Sequence, residues 1–574
     1  MKTITRFLLL SLVLVFAAMP SFAANFVILN ADGPNEGFND PTPAAPVGGN
    51  PGTTLGQQRI NAFVHAANIW AQNLDSPETI YVVAAFNPLA PNVLGSAGAW
   101  DVFSDFAGGS TFPGVQYPGS EYPLTWYSSA LADRRAGYDH DITSPDINAQ
   151  FSSNFNFYLG LDNNHGPLND LVAVLLHELG HGLGFQNFVS EATGANLGGF
   201  FDGPRFYPVQ TDVYSRFTLD TTNNLTWDVM TQAQRQASAI RYGRVVWNGP
   251  NVTAAAPGVL SLGSPIVNVL SPVSLAGAYQ FGGANFGPPL GSPTVTASIV
   301  AAVDPADVAG PTTTDGCTFF TNAAAVAGKI ALIERGTCGF TQKVARAQAA
   351  GAAAVIIYNN AANAGVAPPT MATDAIFGPT ITIPSVSLSR ADGLAILAQL
   401  GGGVTATIGV DNSLLAGANA ANQVRLYMPF PVAGGSSGSH YDTATRRNQL
   451  MEPAISADLT HSVNPPEDLT MPLMRDIGWF PDADLDAVDD NIDANPNSDL
   501  NPTVAIGGCD SGVGNFLFPN GESLIDKINA IKAAASNHGQ YVSGVAHLLN
   551  DLKKAGTISG ADKDAIQNCV SQDN

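Results

Sequence analysis

The sequence predicts an α+β fold, because runs with the apolar spacing of helices are separated by short apolar runs typical of strands. Residues 59–76 place apolar side chains at helical spacing, and residues 79–86 (TIYVVAAF) follow as a buried strand. Residues 170–185 are predicted to form a second, strongly apolar helix that ends among glycines. Residues 255–425 alternate short β-rich runs with turns, and residues 506–574 have helical patterns. The expected architecture combines strands with a buried helix, followed by further domains.

The N-terminus has the pattern of a bacterial-type secretory signal peptide. Lys2 and Arg6 precede the apolar run FLLLSLVLVFAA, and Ser21 and Ala23 flank a small-x-small cleavage site. The apolar run is shorter than the roughly 20 residues that a membrane span needs. We therefore predict that residues 1–23 are removed and that the mature chain is secreted to the extracellular space without a membrane span.

The overall charge restricts the classes of partner. The formal net charge is −23, and removal of the two basic residues of the signal makes it more negative. Such an acidic surface argues against nucleic-acid binding and against docking on anionic lipid. Only 12% of the residues are charged, so the chain is not a disordered acidic tail. The oligomeric state is left open by the sequence.

The four cysteines are expected to form disulfides, because an even number in an exported protein favours pairing. Proximity along the chain pairs Cys317 with Cys338 and Cys509 with Cys569. Free cysteines are the alternative.

A compact module stands in the middle of the chain. Residues 328–360 (GKIALIERGTCGFTQKVARAQAAGAAAVIIYNN) have the pattern of a strand, a loop, a helix and a second strand. The Gly-Thr-Cys-Gly-Phe loop and the run AGAAAVIIYNN resemble the protease-associated (PA) domain. The resemblance implies a non-catalytic lid or adaptor inserted into a protease, here over residues 255–425. No nucleophile or cluster of metal ligands is evident within it.

The run LLHELGHGLGF (175–185) predicts a zinc site. On a helix, His177 and His181 lie on the same face and can bind one zinc ion through their imidazole nitrogens. Glu178 is rotated by about 100° around the axis, which suits a general base that reaches a water on the metal. At this His and Glu content, chance gives only about 0.002 such patterns.

The third ligand distinguishes the families of zinc protease. A thermolysin-like enzyme uses a downstream glutamate, but residues 192–333 contain none. The short metzincin pattern places a histidine six residues after the second one, where this chain has Asn187, a weak ligand. His440 in the loop GSSGSHYD is the best candidate, and Met451 follows eleven residues later in NQLMEP. Asn187 and the other histidines remain alternatives for this third position.

With these motifs the sequence resembles a leishmanolysin-like metzincin, whose third histidine is separated from the helix by an insertion and followed by a methionine turn. The resemblance implies a metzincin-like protease domain, with a twisted mixed sheet and an active-site helix, split into residues 24–254 and 426–480 by the PA domain. It implies that His177, His181 and His440 bind zinc, that Glu178 is the base, and that Met451 forms an apolar floor.

The function expected from these residues is that of a secreted zinc-dependent endopeptidase. Zinc would polarise the scissile carbonyl and activate a water, and Glu178 would move the proton. Protein or peptide substrates are expected, and Tyr441 is a candidate to assist. The alternative is a catalytically inactive adhesion or binding protein that uses its PA and C-terminal modules, although such a protein would not need to keep Glu178.

An acidic stretch within residues 481–505 is a candidate calcium site. The run DADLDAVDDNID resembles a thrombospondin type 3 repeat, and closely spaced carboxylates are the oxygen ligands that calcium prefers. The alternative is a solvated acidic linker. The candidate ligands are Asp482, Asp484, Asp486, Asp490 and Asp493. The helical region 506–574 follows, and its role is not indicated by the sequence.

Overall fold

The computed structural model describes residues 23–109, 117, 119–480, 493–499, 501–518 and 520–573. The predicted signal peptide, apart from its last residue, lies outside these residues. Across the described part of the chain, no helix is both long and apolar enough to cross a membrane.

The first part of the chain forms a small sheet covered by helices, as the sequence predicts. Its helices are α1 (Leu55–Asn73), α2 (Ser129–Ala136) and α3 (Leu171–Gly182). Its strands are β1 (Asn25–Asn30), β2 (Thr79–Asn87), β3 (Gly95–Ala99), β4 (Val102–Phe103), β5 (Thr125–Ser128), β6 (Ile147–Ser152), β7 (Phe157–Tyr158) and β8 (Asn169–Asp170).

The main sheet of this part is mixed and has the order β1-β2-β6-β3. Strands β1, β2 and β6 are parallel, and β3 is the antiparallel edge strand. Strand β2 buries alternate residues, so one face of the sheet packs against the protein interior. Helix α3 contacts β3 and β6 and also packs on α1, where the indole N–H of Trp70 donates to the Leu176 carbonyl at 3.2 Å. The sheet thus fixes the position of α3.

Small elements connect α3 to the inserted domain. The helices are α4 (Val213–Phe217), α5 (Gln232–Ser238) and α6 (Pro250–Val259). The strands are β9 (Val189–Ser190), β10 (Ala195–Asn196), β11 (Phe200–Asp202), β12 (Arg205–Tyr207), β13 (Thr211–Asp212), β14 (Thr218–Asp220), β15 (Leu225–Thr226) and β16 (Val245–Trp247).

The inserted domain contains a seven-stranded sheet inside the predicted range 255–425. Its strands are β17 (Leu262–Ser271), β18 (Gly277–Ala278), β19 (Val295–Ala301), β20 (Ile330–Glu334), β21 (Ala354–Tyr358), β22 (Ser385–Leu388) and β23 (Thr405–Leu415), in the order β18-β17-β23-β19-β20-β21-β22. Its helices are α7 (Ala323–Val326), α8 (Phe340–Ala349) and α9 (Arg390–Gln399). The predicted strand, helix and strand over 329–358 correspond to β20, α8 and β21, and the Cys317–Cys338 disulfide is present.

The chain enters and leaves the inserted domain through two neighbouring strands. The first and last long strands of this domain, β17 and β23, are antiparallel neighbours, with Leu262 opposite Leu415. The returning chain then bonds to the strand that precedes the insertion, because the Trp247 N–H donates to the Val424 carbonyl at 2.7 Å and the Leu426 N–H donates to the Val245 carbonyl at 3.0 Å. Residues on either side of the insertion therefore share one core.

The chain ends in helix α10 (Thr470–Asp476) and a separate C-terminal region. That region has its own core and contains β24 (Thr503–Ile506), β25 (Cys509–Gly514), α11 (Leu524–Ala534), α12 (His538–Ala555) and α13 (Gly560–Gln572). The predicted helices over 523–539 and 543–556 are found. The predicted helical region 506–574 also contains a strand near its start, because β24 and β25 form a hairpin that the Cys509–Cys569 disulfide ties to α13.

Candidate metal centre

Helix α3 begins at a strong cap and is buried along its whole length. The carboxylate of Asp170 accepts the backbone N–H groups of Val172 and Ala173, at 2.8 and 3.4 Å, which satisfies two of the free donors at the helix start. All twelve residues of the helix are buried. The apolar run that predicted the helix therefore supplies its core contacts, while His177, Glu178 and His181 remain as buried polar groups.

The three predicted histidines meet at one point. The Nε2 atoms of His177 and His181 are 3.1 Å apart, and the Nε2 atom of His440 is 3.2 Å from each of them. His440 reaches this position across 259 residues of sequence from His181. The candidate ligand atoms of this group all lie within 4.8 Å of one another.

Each imidazole is oriented by its other ring nitrogen. The Nδ1 atoms bond to backbone carbonyl oxygens: Leu450 at 2.7 Å for His177, Phe185 at 2.8 Å for His181 and Ser436 at 2.8 Å for His440. Because a carbonyl can only accept, Nδ1 carries the proton in all three rings, and each Nε2 is left with a lone pair. Three acceptor nitrogens so close together repel one another unless a cation lies between them.

The nitrogen spacing fits a zinc ion. At the usual Zn–N distance of about 2.0–2.1 Å, nitrogens in tetrahedral coordination are about 3.3–3.4 Å apart. The observed separations of 3.1–3.2 Å are close to this value. The three rings are also held uncharged: burial lowers the pKa of His177 to about 4 and that of His181 to about 3, and it lowers the pKa of His440 well below its usual range. Neutral imidazole is the form that binds metal.

Glu178 lies between α3 and the edge strand β3. A Cβ atom at Gly95 would come within 2.7 Å of the Glu178 carboxylate, so strand β3 can pass this close only because residue 95 is glycine. Burial raises the pKa of the Glu178 carboxyl to about 8, and a hydrogen bond from the Ala97 backbone N–H opposes this shift. A nearby metal ion would lower that pKa, since an opposite charge favours the carboxylate.

The turn that contains Met451 packs against the C-terminal half of α3. Met451 is fully buried, and its sulfur would be 2.9 Å from a Cβ at Gly180, so the two make close contact. The Met451 carbonyl also accepts the Tyr441 N–H at 2.8 Å. The suggestion that Tyr441 assists the reaction is wrong: its side chain is fully buried in the core and its hydroxyl donates to the Leu469 carbonyl at 3.2 Å.

Asn187, the alternative third ligand, is hydrogen-bonded to residues other than the three histidines. Its amide nitrogen donates to the Ser439 hydroxyl and to the Glu191 carboxylate, each at 3.1 Å. Its amide oxygen accepts the Val189 N–H at 2.9 Å. Both ends of the amide are thus occupied, and Asn187 is not among the residues that line the cleft over the three histidines.

Among the histidines outside this group, His461 and His140 have partners that the sequence did not indicate. His461 bonds to Asp170, the cap of α3, through Nε2 at 3.0 Å. His140 bonds to Asp133 through Nδ1 at 2.6 Å and stacks on Phe103. A helix cap is a local sequence signal that could have pointed to Asp170, but nothing in the sequence places His461 beside it.

A cleft of about 570 Å³ opens over the three histidines. Residues 92–97, which include the start of β3, form one wall, and residues 434–436 and 452–455 line another part. Of the described residues that line it, Glu178 and Glu452 carry carboxyl groups. Glu452 is buried and accepts hydrogen bonds from the Thr445 hydroxyl and from the Gln449 N–H at 2.9 Å, and burial raises its pKa to about 7.

Comparison with known proteins identifies the inserted domain. Residues 295–396 match the PA domain family. The chain contains a PA domain. This confirms the resemblance found in the sequence, and the matched residues lie within the predicted segment 255–425.

Relatives of known activity match only a small part of the chain. Two proteins of Pseudomonas aeruginosa, from strains UCBPP-PA14 and PAO1 and each named aminopeptidase, are 51% identical over 71 residues, or 12% of this chain. The match spans 13% of the length of those relatives.

Solved structures resemble the chain weakly. A zinc aminopeptidase from Bacillus subtilis is 25% identical over 28% of this chain and 36% of its own, with a TM-score of 0.19. An aminopeptidase from Aneurinibacillus sp. strain AM-1 is 21% identical over 28% of this chain and 42% of its own, with a TM-score of 0.17. A subtilisin-like protease from Pseudoalteromonas sp. AS-11 is 23% identical over 27% and 34%, with a TM-score of 0.19.

The inserted sheet is tied to the segment that carries His440. The Phe430 N–H donates to the side-chain oxygen of Gln280 at 2.8 Å, ten residues before that histidine. Gln280 follows β18, at the edge of the inserted sheet. The insertion is therefore in contact with the metal-site loop as well as with the strands at its own ends.

The candidate calcium ligands can be placed only in part. Asp482, Asp484, Asp486 and Asp490 lie outside the described residues. Asp493 is described, and its carboxylate accepts the Asn495 N–H at 2.7 Å. Calcium binding by this stretch stays a prediction.

Proposed function

We propose that the protein is a zinc-dependent endopeptidase of the metzincin type, with the third histidine placed as in leishmanolysin-like enzymes. The observation that carries the proposal is the triangle of Nε2 atoms from His177, His181 and His440, with sides of 3.1–3.2 Å. Glu178 follows the first of these histidines and lies at the same cleft. A methionine turn under the helix completes the pattern.

The roles of the residues follow from their positions. His177, His181 and His440 would hold the ion, and their Nδ1 bonds to backbone carbonyls keep the Nε2 atoms aimed at it. Zinc bound there would act as a Lewis acid and lower the pKa of a bound water to about 7. The Glu178 carboxylate accepts a proton from the attacking water and gives it to the leaving amide nitrogen.

The edge strand offers a place for a substrate backbone. Strand β3 is the last strand of its sheet, and its residues form a wall of the cleft. An extended peptide can therefore pair with its outer edge, where main-chain hydrogen bonds give affinity without fixing the sequence. Binding along a strand suits a substrate that continues on both sides of the scissile bond.

The carboxyl groups of the cleft favour an endopeptidase over an aminopeptidase. An aminopeptidase must bind the α-ammonium group of its substrate beside the scissile bond, and a carboxylate is the usual partner for such a cation. Here Glu178 is assigned as the base, and Glu452 is buried and bonded to Thr445 and Gln449. Aminopeptidase activity remains the second candidate, because the relatives from Pseudomonas aeruginosa carry that name.

Export from the cell is part of the proposal. The two disulfides are typical of an oxidising compartment. The N-terminal pattern of a signal peptide supports the same conclusion. Secreted proteins or peptides outside the cell would then be the substrates.

The test is hydrolysis of casein and of a short peptide blocked at both ends, with and without a zinc chelator. We expect both substrates to be cleaved, the chelator to abolish cleavage, and Glu178→Gln to lower kcat by about 10²–10⁴. Glu36→Gln, at an exposed position, is the matched control and should be fully active.

The outcomes separate the alternatives. Cleavage of a free N-terminal residue without cleavage of the blocked peptide would make the protein an aminopeptidase. Absence of any cleavage by a zinc-loaded chain would support the inactive adhesion or binding protein. Cleavage that survives Glu178→Gln would remove the proposed base.

A further inference from the structure

The loop that carries His440 is attached to the chain just after α3 by a small polar network. The backbone N–H and the side-chain amide of Asn187 both donate to the Ser439 hydroxyl oxygen, each at 3.1 Å. Ser439 directly precedes His440. The two segments that supply the metal ligands are therefore joined next to the third ligand as well as at the metal site.

Asn187 is itself held in place on its other sides. Its amide nitrogen also donates to the Glu191 carboxylate at 3.1 Å, and its oxygen accepts the Val189 N–H at 2.9 Å. This assigns the amide orientation, because a flipped amide would set its oxygen against the carboxylate. A side chain fixed by three partners has little freedom, so it can define the position of Ser439.

The contact between Asn187 and the loop requires a glycine at position 438. A Cβ atom at Gly438 would be 2.6 Å from the Asn187 amide nitrogen, and the φ angle of Gly438 is +80°. Glycine is needed there both for the backbone conformation and for the close approach of the amide. The loop is thus shaped around Asn187.

We propose that Asn187 is a positioning residue for the third zinc ligand, acting through Ser439 on His440; this inference rests on the proposed zinc centre. At the place where the short metzincin pattern has a ligand, this chain has a side chain that holds the loop from which the distant ligand comes. The backbone of His440 is held separately, because its carbonyl accepts the Tyr427 N–H at 2.9 Å. The Nδ1 of its ring bonds to a carbonyl of its own loop, that of Ser436.

The expected effect is on metal affinity. Groups that orient a ligand without touching the metal typically change metal affinity by about 10- to 100-fold when they are removed. A residue that only contributed to folding would lower the melting temperature and leave the affinity of the folded protein for zinc unchanged.

The experiment measures the zinc dissociation constant of the full-length protein by competition with a chromophoric chelator. We expect Asn187→Ala and Ser439→Ala each to raise the zinc dissociation constant by about 10- to 100-fold. Because both act through the same contact, the double variant should have a dissociation constant no higher than that of the more strongly affected single variant. Ser439→Thr keeps the acceptor oxygen and should restore the affinity. Asn550→Ala, at an exposed asparagine of α12, is the control.

A second readout is the visible absorption spectrum of the protein loaded with cobalt(II), which reports ligand geometry without any need for activity. The spectrum should change in Asn187→Ala and Ser439→Ala and be unchanged in Ser439→Thr. Suppose that Asn187→Ala leaves the dissociation constant and the spectrum unchanged while His440→Ala weakens zinc binding strongly. That result would overturn the role of Asn187 and leave the proposed zinc centre intact. Wild-type affinity in His440→Ala would overturn the proposed zinc centre with it.

Discussion

The Nδ1 atom of His177 donates to the carbonyl oxygen of Leu450 at 2.7 Å, across 273 residues of sequence. This bond joins the metal-site helix to the turn that contains the buried methionine. It fixes the ring of His177 and at the same time anchors the turn. The hydrogen bond therefore links the metal site to the part of the fold that follows the insertion. A substitution at the metal site can then be tested by its effect on stability, and a substitution in the fold by its effect on the metal site.

Zinc should stabilise the folded protein through His440. A metal that binds only the folded state adds about 4 kcal/mol of stability at a free concentration 1,000 times its dissociation constant. We expect excess zinc to raise the melting temperature of the chelator-treated wild type and to have much less effect on His440→Ala. Scanning calorimetry with and without zinc measures this. His547→Ala, at an exposed histidine, should behave as wild type, and a full zinc response of His440→Ala would contradict the assignment.

Gly95→Ala should lower the activity without changing the zinc content. The added Cβ would lie 2.7 Å from the Glu178 carboxylate and force it to move. A displaced base should cost about 10- to 100-fold in kcat, while zinc content stays the same because none of the histidines is touched. Steady-state kinetics and metal analysis check the two parts. Gly514→Ala, in a strand with open space around it, is the control; normal activity of Gly95→Ala would show that the close contact is unimportant.

Asp170→Ala should destabilise the fold through the start of α3. The change removes the cap on two backbone N–H groups and the partner of His461. Loss of such a cap costs about 0.5–2 kcal/mol. Denaturant unfolding of Asp170→Ala and Asp170→Asn provides the measurement. Since the amide retains a capping oxygen, Asp170→Asn should be the more stable of the two, and equal stability would argue against the cap.

A pair of buried carboxyl groups, Asp133 and Asp146, should contribute a loss of stability as the pH rises from about 4 to about 8. Asp133 and Asp146 are hydrogen-bonded to each other, and burial raises their pKa values to about 7 and about 8. Between the unfolded pKa of about 3.9 and these values, the folded state binds more protons than the unfolded state. The loss is up to about 1.4 kcal/mol per pH unit for each proton.

Asp133→Asn tests this pH dependence, because it removes one of the two titrating groups. The free energy of unfolding, measured by denaturant titration from pH 4 to pH 9, should fall less steeply than in the wild type. Asp564→Asn, at an exposed position in α13, is the matched control and should keep the wild-type slope. An unchanged slope in Asp133→Asn would mean that the pair does not hold its proton.

Several parts of this structure could be predicted because they depend on local patterns. The spacing of His177 and His181 on an apolar helix and the strand, helix and strand of the PA domain follow from residues close together in the sequence. The disulfides follow from the small number of cysteines, because pairing each with its nearer neighbour gives separations of 21 and 60 residues. His440 was found by elimination, since the chain has few histidines and no glutamate in the range where a different ligand set would need one.

Other parts had no signal in the sequence. The partners of the three Nδ1 atoms are backbone carbonyls, which every residue has, so their positions depend on the tertiary fold. The contact between Asn187 and Ser439 joins segments 252 residues apart, and a single sequence does not reveal such pairs. The β24–β25 hairpin was missed because its strands are short and β25 contains two glycines, Gly512 and Gly514.

The adjacency of β17 and β23 has a consequence for the timing of synthesis. Because these strands close the insertion at its base, a growing polypeptide has His177 and His181 long before it has His440. A chain truncated anywhere inside the insertion contains two of the three proposed zinc ligands and lacks Met451. The enzyme proposed here would thus become able to digest its surroundings, or its own kind, only after residues 440–451 had been made, about three quarters of the way along the polypeptide.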